Sequence, residues 1–165
     1  MKKNSIINLA PLLTLTFLQL QAAVITLNAA DSTVIDNGNC TISEAIMSAN
    51  TDTAFDNCTA GSEADTIILT TDVTLTNQLY DTDSGIGTPS ITSSMVIEGG
   101  NHFVTRSSGD DFRLLHISDG GDLDLRNITL SNGNVPDGGG GAILNGGAYL
   151  KHRKRHIFKQ HRQVR

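Results

Sequence analysis

Residues 113–134 read Arg-Leu-Leu-His-Ile-Ser-Asp-Gly-Gly-Asp-Leu-Asp-Leu-Arg-Asn-Ile-Thr-Leu-Ser-Asn-Gly-Asn, and their alternation decides the fold. Short apolar pieces, Arg113 to Ile117, Asp122 to Leu125 and Asn127 to Leu130, are parted by Asp119-Gly-Gly121 and closed by Ser131-Asn-Gly-Asn134. A period of two between Gly and Asn corners is the mark of short strands. The same unit recurs upstream at Thr66 to Thr70, Asp72 to Thr76 and Ser94 to Ile97, the last followed by Glu98-Gly-Gly-Asn101. Downstream it returns at Gly141 to Leu144, after the glycine run that follows Asp137. Recurrence of strand, tight turn and strand predicts a solenoid, in which each coil buries its inward row on the next. A β-sandwich also carries strands at such spacing, and pattern alone leaves it open. Very short strands, aromatic residues at 4% and no tryptophan favour the solenoid. The expected fold is all-β, a right-handed parallel β-helix fragment whose incomplete coils occupy residues 66–150.

Ahead of the coils, residues 24–65 read as an N-terminal cap. Thr41-Ile-Ser-Glu44 fits a capping box, with the Thr41 hydroxyl set to accept from the Glu44 amide and Glu44 set to reach back. Ile42, Ala45, Ile46 and Ala49 behind it follow helical spacing, which predicts one short α-helix over about residues 41–50 with an apolar stripe. The helix would cover the open first coil. Residues 1–23 have the form of a secretory signal peptide: Lys2 and Lys3, an apolar run from Ile6 to Leu20 interrupted by polar residues, then Ala22 and Ala23. The run is shorter than the ~20 apolar residues a membrane span needs, so no transmembrane anchor is expected in this chain.

Cys40 and Cys58 are the two cysteines. An even count in an exported chain favours a disulfide, and two thiols alone do not complete a zinc shell. Charge is segregated. All 17 acidic residues lie between Asp31 and Asp137, a stretch holding only Arg106, Arg113 and Arg126, for a local balance of −14. An acidic body of that kind argues against nucleic acid or anionic lipid as a partner.

Cys40-Thr-Ile-Ser-Glu-Ala-Ile46, Ala49-Asn50, Cys58 and Asp65-Thr-Ile67 together resemble the CSLREA-type N-terminal region of secreted bacterial β-helix proteins. Thr41-Ile-Ser43 stands where that pattern has Ser-Leu-Arg. Residues 91–98 and 112–116 are similar to the first coils of the same proteins. Gly140-Gly-Ala-Ile143 resembles the Gly-Gly-Ala-Ile repeat of polymorphic outer-membrane proteins. The resemblance covers roughly residues 24–150. It implies a secreted or outer-membrane, cell-surface β-helix, often adhesive, with surface glycans or other cell-surface proteins as partners. It carries over no catalytic residues.

β-Helices also host polysaccharide lyases and hydrolases, whose chemistry demands particular residues. Glycoside hydrolysis needs two carboxylates at a set separation. Asp110-Asp111 is the one adjacent acidic pair, and its Ser-Ser-Gly context reads as a solvated turn. Arg106, Arg113 and Arg126 form no recognisable cationic base site, and His102 and His116 read as surface or turn residues. Calcium is a weaker candidate ligand: Asp119, Asp122 and Asp124 surround Gly120-Gly121, and Asp81 and Asp83 precede Gly85. Turn chemistry accounts for both groups without a metal. The expectation is a non-catalytic surface protein without a cofactor, seen here as an N-terminal fragment. The alternative is the N-terminal part of a carbohydrate-active enzyme whose catalytic coils lie beyond residue 150.

Residues 151–165 break the pattern, with seven Lys or Arg, three His and no acid. As written, the segment has the composition of a nucleic-acid- or membrane-binding arm; a one-base shift of reading frame near codon 150 is the expectation that fits the repeat better. Read one base later, permitted codons give Asn-Ile-Glu-Asn-Ala-Ile-Phe-Ser-Asn-Asn-Thr, a further strand and Asn turn. As written, the basic tail is not expected to pair in register with the coils, because its like charges repel.

Overall fold

The computed structural model describes residues 21–79, 85–135 and 141–153, and of His152 the backbone alone. Most of the expected signal peptide, Asp81, Asp83 and the tail from residue 154 lie outside the described residues. In chain order the elements are β1 (Val24–Thr26), α1 (Ile42–Thr51), β2 (Asp65–Ile68), β3 (Val73–Leu75), β4 (Ser94–Glu98), β5 (Phe103–Arg106), β6 (Leu115–Ile117), β7 (Asp122–Arg126), β8 (Thr129–Ser131), β9 (Ile143–Asn145) and β10 (Tyr149–Arg153).

Three sheets form, ordered β1-β2-β4-β7-β10, β3-β5-β8 and β6-β9. From β4 onward the chain visits the five-, three- and two-stranded sheets in that order and then returns to the first. The preceding circuit does the same with β2 and β3. Parallel bridges then set Ile86 beside Arg113 and Ile91 beside Ile117. Thr66, Val96, Asp124 and Lys151 are successive partners, so the circuits take 30, 28 and 27 residues. Every strand pairing among the described residues is parallel, which is inconsistent with the antiparallel sandwich alternative. Among the described residues the architecture is mostly β with one short helix, and its all-parallel sheets are consistent with a β-solenoid.

Inward residues repeat at the circuit length. Ile25, Ile67, Ile97 and Leu125 are consecutive partners across the five-stranded sheet, each without exposed surface. Val73, Val104 and Leu130 form the matching row of the three-stranded sheet. Outward positions such as Thr66 and Val96 remain half-buried, the alternation a pleated strand produces. Corners are tight. A Cβ on Gly99 would lie 2.5 Å from the Ile128 Cβ of the following circuit, so only glycine lets the two backbones approach. Asn127, directly beneath, adopts φ 47°, a left-handed conformation that asparagine tolerates.

The helix is where the capping box places it. Thr41 is the N-cap, the Glu44 amide donates to its hydroxyl at 3.3 Å, and Glu44 Oε2 accepts the Thr41 amide at 3.0 Å. Glu44 Oε1 also accepts the Ile35 amide, so one buried carboxylate joins the cap segment to the helix. Ile42, Ala45, Ile46 and Ala49 are all buried in the same core as Ile25 and Ile67, and α1 packs on β1 and β2. Cys40 and Cys58 form the expected disulfide, with Cα atoms 4.8 Å apart. Asn50 ties the other helix end to the next circuit. It donates to the Ser90 carbonyl at 2.8 Å and accepts the Thr92 amide at 2.9 Å.

Two strands depart from expectation. β5 follows the Glu98–Asn101 turn in a stretch where no strand is expected, and Val104 alone points into the core. β10 crosses the boundary expected at residue 150 and pairs with β7 from Tyr149–Asp122 to Arg153–Arg126. The expectation that the basic segment would not pair in register is therefore wrong for Lys151, His152 and Arg153. Parallel pairing uses main-chain groups; Lys151 is opposite Asp124, and Arg153, opposite Arg126, has its Nε 3.5 Å from Asp124 Oδ2.

The cap should be a measurable share of stability. Thr41→Ala is expected to cost about 1 kcal/mol. Glu44→Ala is expected to cost more, roughly 2 kcal/mol, because it strands the buried Thr41 amide and also frees the Ile35 amide. Urea unfolding checks both, and unchanged midpoints would contradict the capping arrangement.

Candidate functional site

The acidic and basic groups that the sequence offered for chemistry are distributed around the circuits, and several have a local partner. Asp111 accepts a hydrogen bond from the Asn134 side-chain Nδ2. Asp110 is exposed, and its backbone carbonyl accepts from Arg106 Nη1. The two carboxylates thus belong to a corner whose organiser is Arg106. That guanidinium also donates to the Ser108 and Asn132 carbonyls, each at 2.8 Å, and lies 5.6 Å from the centre of the fully buried Phe112 ring. Arg106 follows the inward Leu75 in register, so its stem leaves the core just where the chain turns. A cation two residues past an inward valine and six before a phenylalanine was the available signal for this clamp.

Arg126 reaches back to Asp124 on its own strand, with Nη2 2.8 Å and Nε 3.1 Å from Oδ2. With Arg153 also near that oxygen, Asp124 faces two guanidinium groups. One oxygen of this candidate calcium donor is thus already engaged by cationic side chains. Asp119 is exposed in its turn, and Asp122 is half-buried at the start of β7. Among the described residues no group of three or more His, Cys, Asp or Glu side chains converges closely enough to hold a metal ion.

The histidines differ. His102 Nδ1 lies 3.1 Å from Asp72 Oδ1, across the corner joining two circuits. His116 is not a surface residue: only 5% of it is exposed, and its Nδ1 lies 2.9 Å from the Ser90 hydroxyl. The circuits before and after enclose it, because a Cβ on Gly146 would come within 3.4 Å of its Nε2. Arg113 is buried too.

An open cleft of about 500 Å³ lies on the cap, lined by Val34, Ile35, Asp36, Glu44, Ala54, Phe55 and Asp56. Val34 and Ile35 are exposed apolar residues on its wall. Asp56 holds the wall in shape, accepting the backbone amides of Asn37, Gly38 and Asn39 at 2.9–3.1 Å. The Asn37 bond is the largest cause holding the Asp56 carboxyl below its ordinary value of 3.8. The Asn39 and Gly38 bonds act in the same direction, against a desolvation effect. Sequence reading missed this cleft, because its residues are scattered over α1 and the loops on both sides of it. No helix among the described residues is long and apolar enough to cross a membrane.

Compared with known proteins, the chain matches no family model, no curated protein and no solved structure.

The Asp56 arrangement has a pH signature. Its folded-state pKa is depressed, so its contribution is complete above about pH 3.8 and is lost as pH falls through the lower folded value. The Gly38 amide resonance is expected to titrate with a midpoint below 3.8. A midpoint at or above that value would contradict the hydrogen-bonded geometry.

Proposed function

We propose that this chain is the N-terminal portion of a right-handed parallel β-helix that works as a non-catalytic, secreted or cell-surface protein. One observation carries the reading: five of the side chains available for acid–base chemistry act as ties within the stack. Arg106, Asp111, Asp124, Arg126 and His102 each have a partner in their own corner or a neighbouring circuit. A group positioned for general acid or base catalysis must instead face a site where substrate can come within hydrogen-bond reach. The constant cyclic order of the sheets supports the solenoid, and the strong preference of parallel crossovers for the right hand supports its sense. The Cys40–Cys58 disulfide supports an extracytoplasmic setting, since such bonds persist mainly in oxidising compartments.

The resemblance to CSLREA-type regions fits a role as the capped start of a longer repeat. The capping box, the disulfide and Asn50 occupy the motif positions and fasten the helix to the first circuits. In this proposal the exposed outer faces and the cap cleft provide the contact surface for glycans or surface proteins.

A glycan-binding screen run beside turnover assays on acidic and neutral polysaccharides tests the proposal. The exported chain is expected to release no product from any of them. Turnover that disappears in Asp110→Asn or Asp111→Asn would overturn the non-catalytic reading and locate an active site at the Arg106 corner.

A further inference from the structure

Asp65 is the first residue of β2 and has no exposed surface. Its register partners are Met95 and, beyond that, Leu123, both in the apolar interior. A carboxylate in such a row is costly unless it is paired. Oδ1 accepts the Ser62 amide at 2.8 Å and the Ala23 amide at 3.0 Å, while Oδ2 has no hydrogen-bond partner. No cationic side chain among the described residues pairs with it. The surroundings leave no room for another side chain: a Cβ on Gly61 would lie 2.6 Å from Oδ2 and 2.6 Å from the Ser48 carbonyl. The Ser62 hydroxyl beside it is likewise buried without a partner. The site has surplus acceptor capacity, and the backbone nitrogen of Ala23 points into it.

We infer that the exported chain is cut between Ala22 and Ala23 and that the new α-ammonium group of Ala23 docks on the buried Asp65 carboxylate. The inference rests on the secretion reading. Hydrolysis of the Ala22–Ala23 amide by a leader peptidase consumes one water. The hydroxyl stays on the Ala22 carbonyl carbon, which departs as a carboxylate, and the proton goes to the Ala23 nitrogen, which takes up a second proton from solvent to become ammonium. One N–H donor is thereby replaced by three donors and a full positive charge at the same place, and charge-assisted bonds are the stronger kind. Ala22 is exposed, whereas Ala23 is half-buried and its carbonyl accepts the Thr66 amide at 2.8 Å. A cut after Ala23, the position the sequence expectation implied, would remove both Ala23 bonds and leave Asp65 with the Ser62 amide alone. The structure thus favours the bond one residue earlier.

Expression of the full 165-residue chain in a secreting bacterial host tests this, with intact mass and peptide mapping of the product. The expected N-terminal residue is Ala23. Its native α-amine should react about tenfold more slowly with an amine-directed ester than the same amine in urea, as a tenfold drop in free amine predicts. Asp65→Asn, which keeps an acceptor but loses the charge, should abolish most of that protection. An exported product beginning at Val24 or beyond, or an Ala23 amine equally reactive in both states, would overturn the inference alone. A chain that keeps Met1 would overturn the secretion reading along with it, and the comparison of native with unfolded protein does not depend on the variant folding.

Discussion

The inward ladder of Ile25, Ile67, Ile97 and Leu125 is the constraint on which the structure depends. A three- to five-residue strand buries too little alone to offset ordering its backbone, which costs about 1–2 kcal/mol per residue. Burying one such aliphatic side chain contributes roughly 1.5–3 kcal/mol, and only when a neighbouring circuit lies directly above or below it. Stability therefore comes from contact between circuits rather than within them. The register also has to hold everywhere, because a one-residue slip would turn every aliphatic row toward solvent.

A stack of this kind has an exposed first circuit, and the cap addresses it physically. The α1 stripe lies on β1 and β2, so the apolar surface at that end is covered by another apolar surface. Glu44 holds the segment before the helix, the disulfide closes the loop around it, and Asn50 carries its far end to the segment before β4. Each tie crosses a boundary between local pieces. Farther down the stack, charge replaces covalent bonding. The Asp124, Arg126 and Arg153 arrangement fixes the outward face of β7 and β10, and Arg106 gathers the carbonyls of the corner after β5.

The elements legible in the sequence were those with a local physical signature. The capping box and the i, i+3, i+4, i+7 stripe locate α1 because both are properties of a single helix. The strands around Thr66, Ser94, Asp122 and Asn127 are legible because apolar residues alternate there between Gly or Asn corners. β5 and β10 escaped because their place is set by neighbours. Phe103-Val-Thr-Arg106 has one inward valine, and Tyr149-Leu-Lys-His-Arg153 reads as polar, yet each hydrogen-bonds along a strand already in position. His116 was misread for the same reason. Without a spaced partner in the sequence it reads as a surface or turn residue, but Ser90 and Gly146 from adjacent circuits enclose it. Asp65 was noted as part of a motif, and its burial follows only from its register with Met95.

Parallel register between circuits is the central physical claim, and disulfide trapping measures it directly. Thr74 and Thr105 are partners across β3 and β5, both half-buried and accessible from outside. Adjacent strands sit about 4.8 Å apart, within the Cα separation a disulfide accepts. Cysteines at 74 and 105 are expected to cross-link rapidly under mild oxidation, while a pair at 74 and 104 should not, since Val104 points into the core. Efficient cross-linking of the 74–104 pair with none at 74–105 would contradict the register and, with it, the stacked arrangement of the circuits.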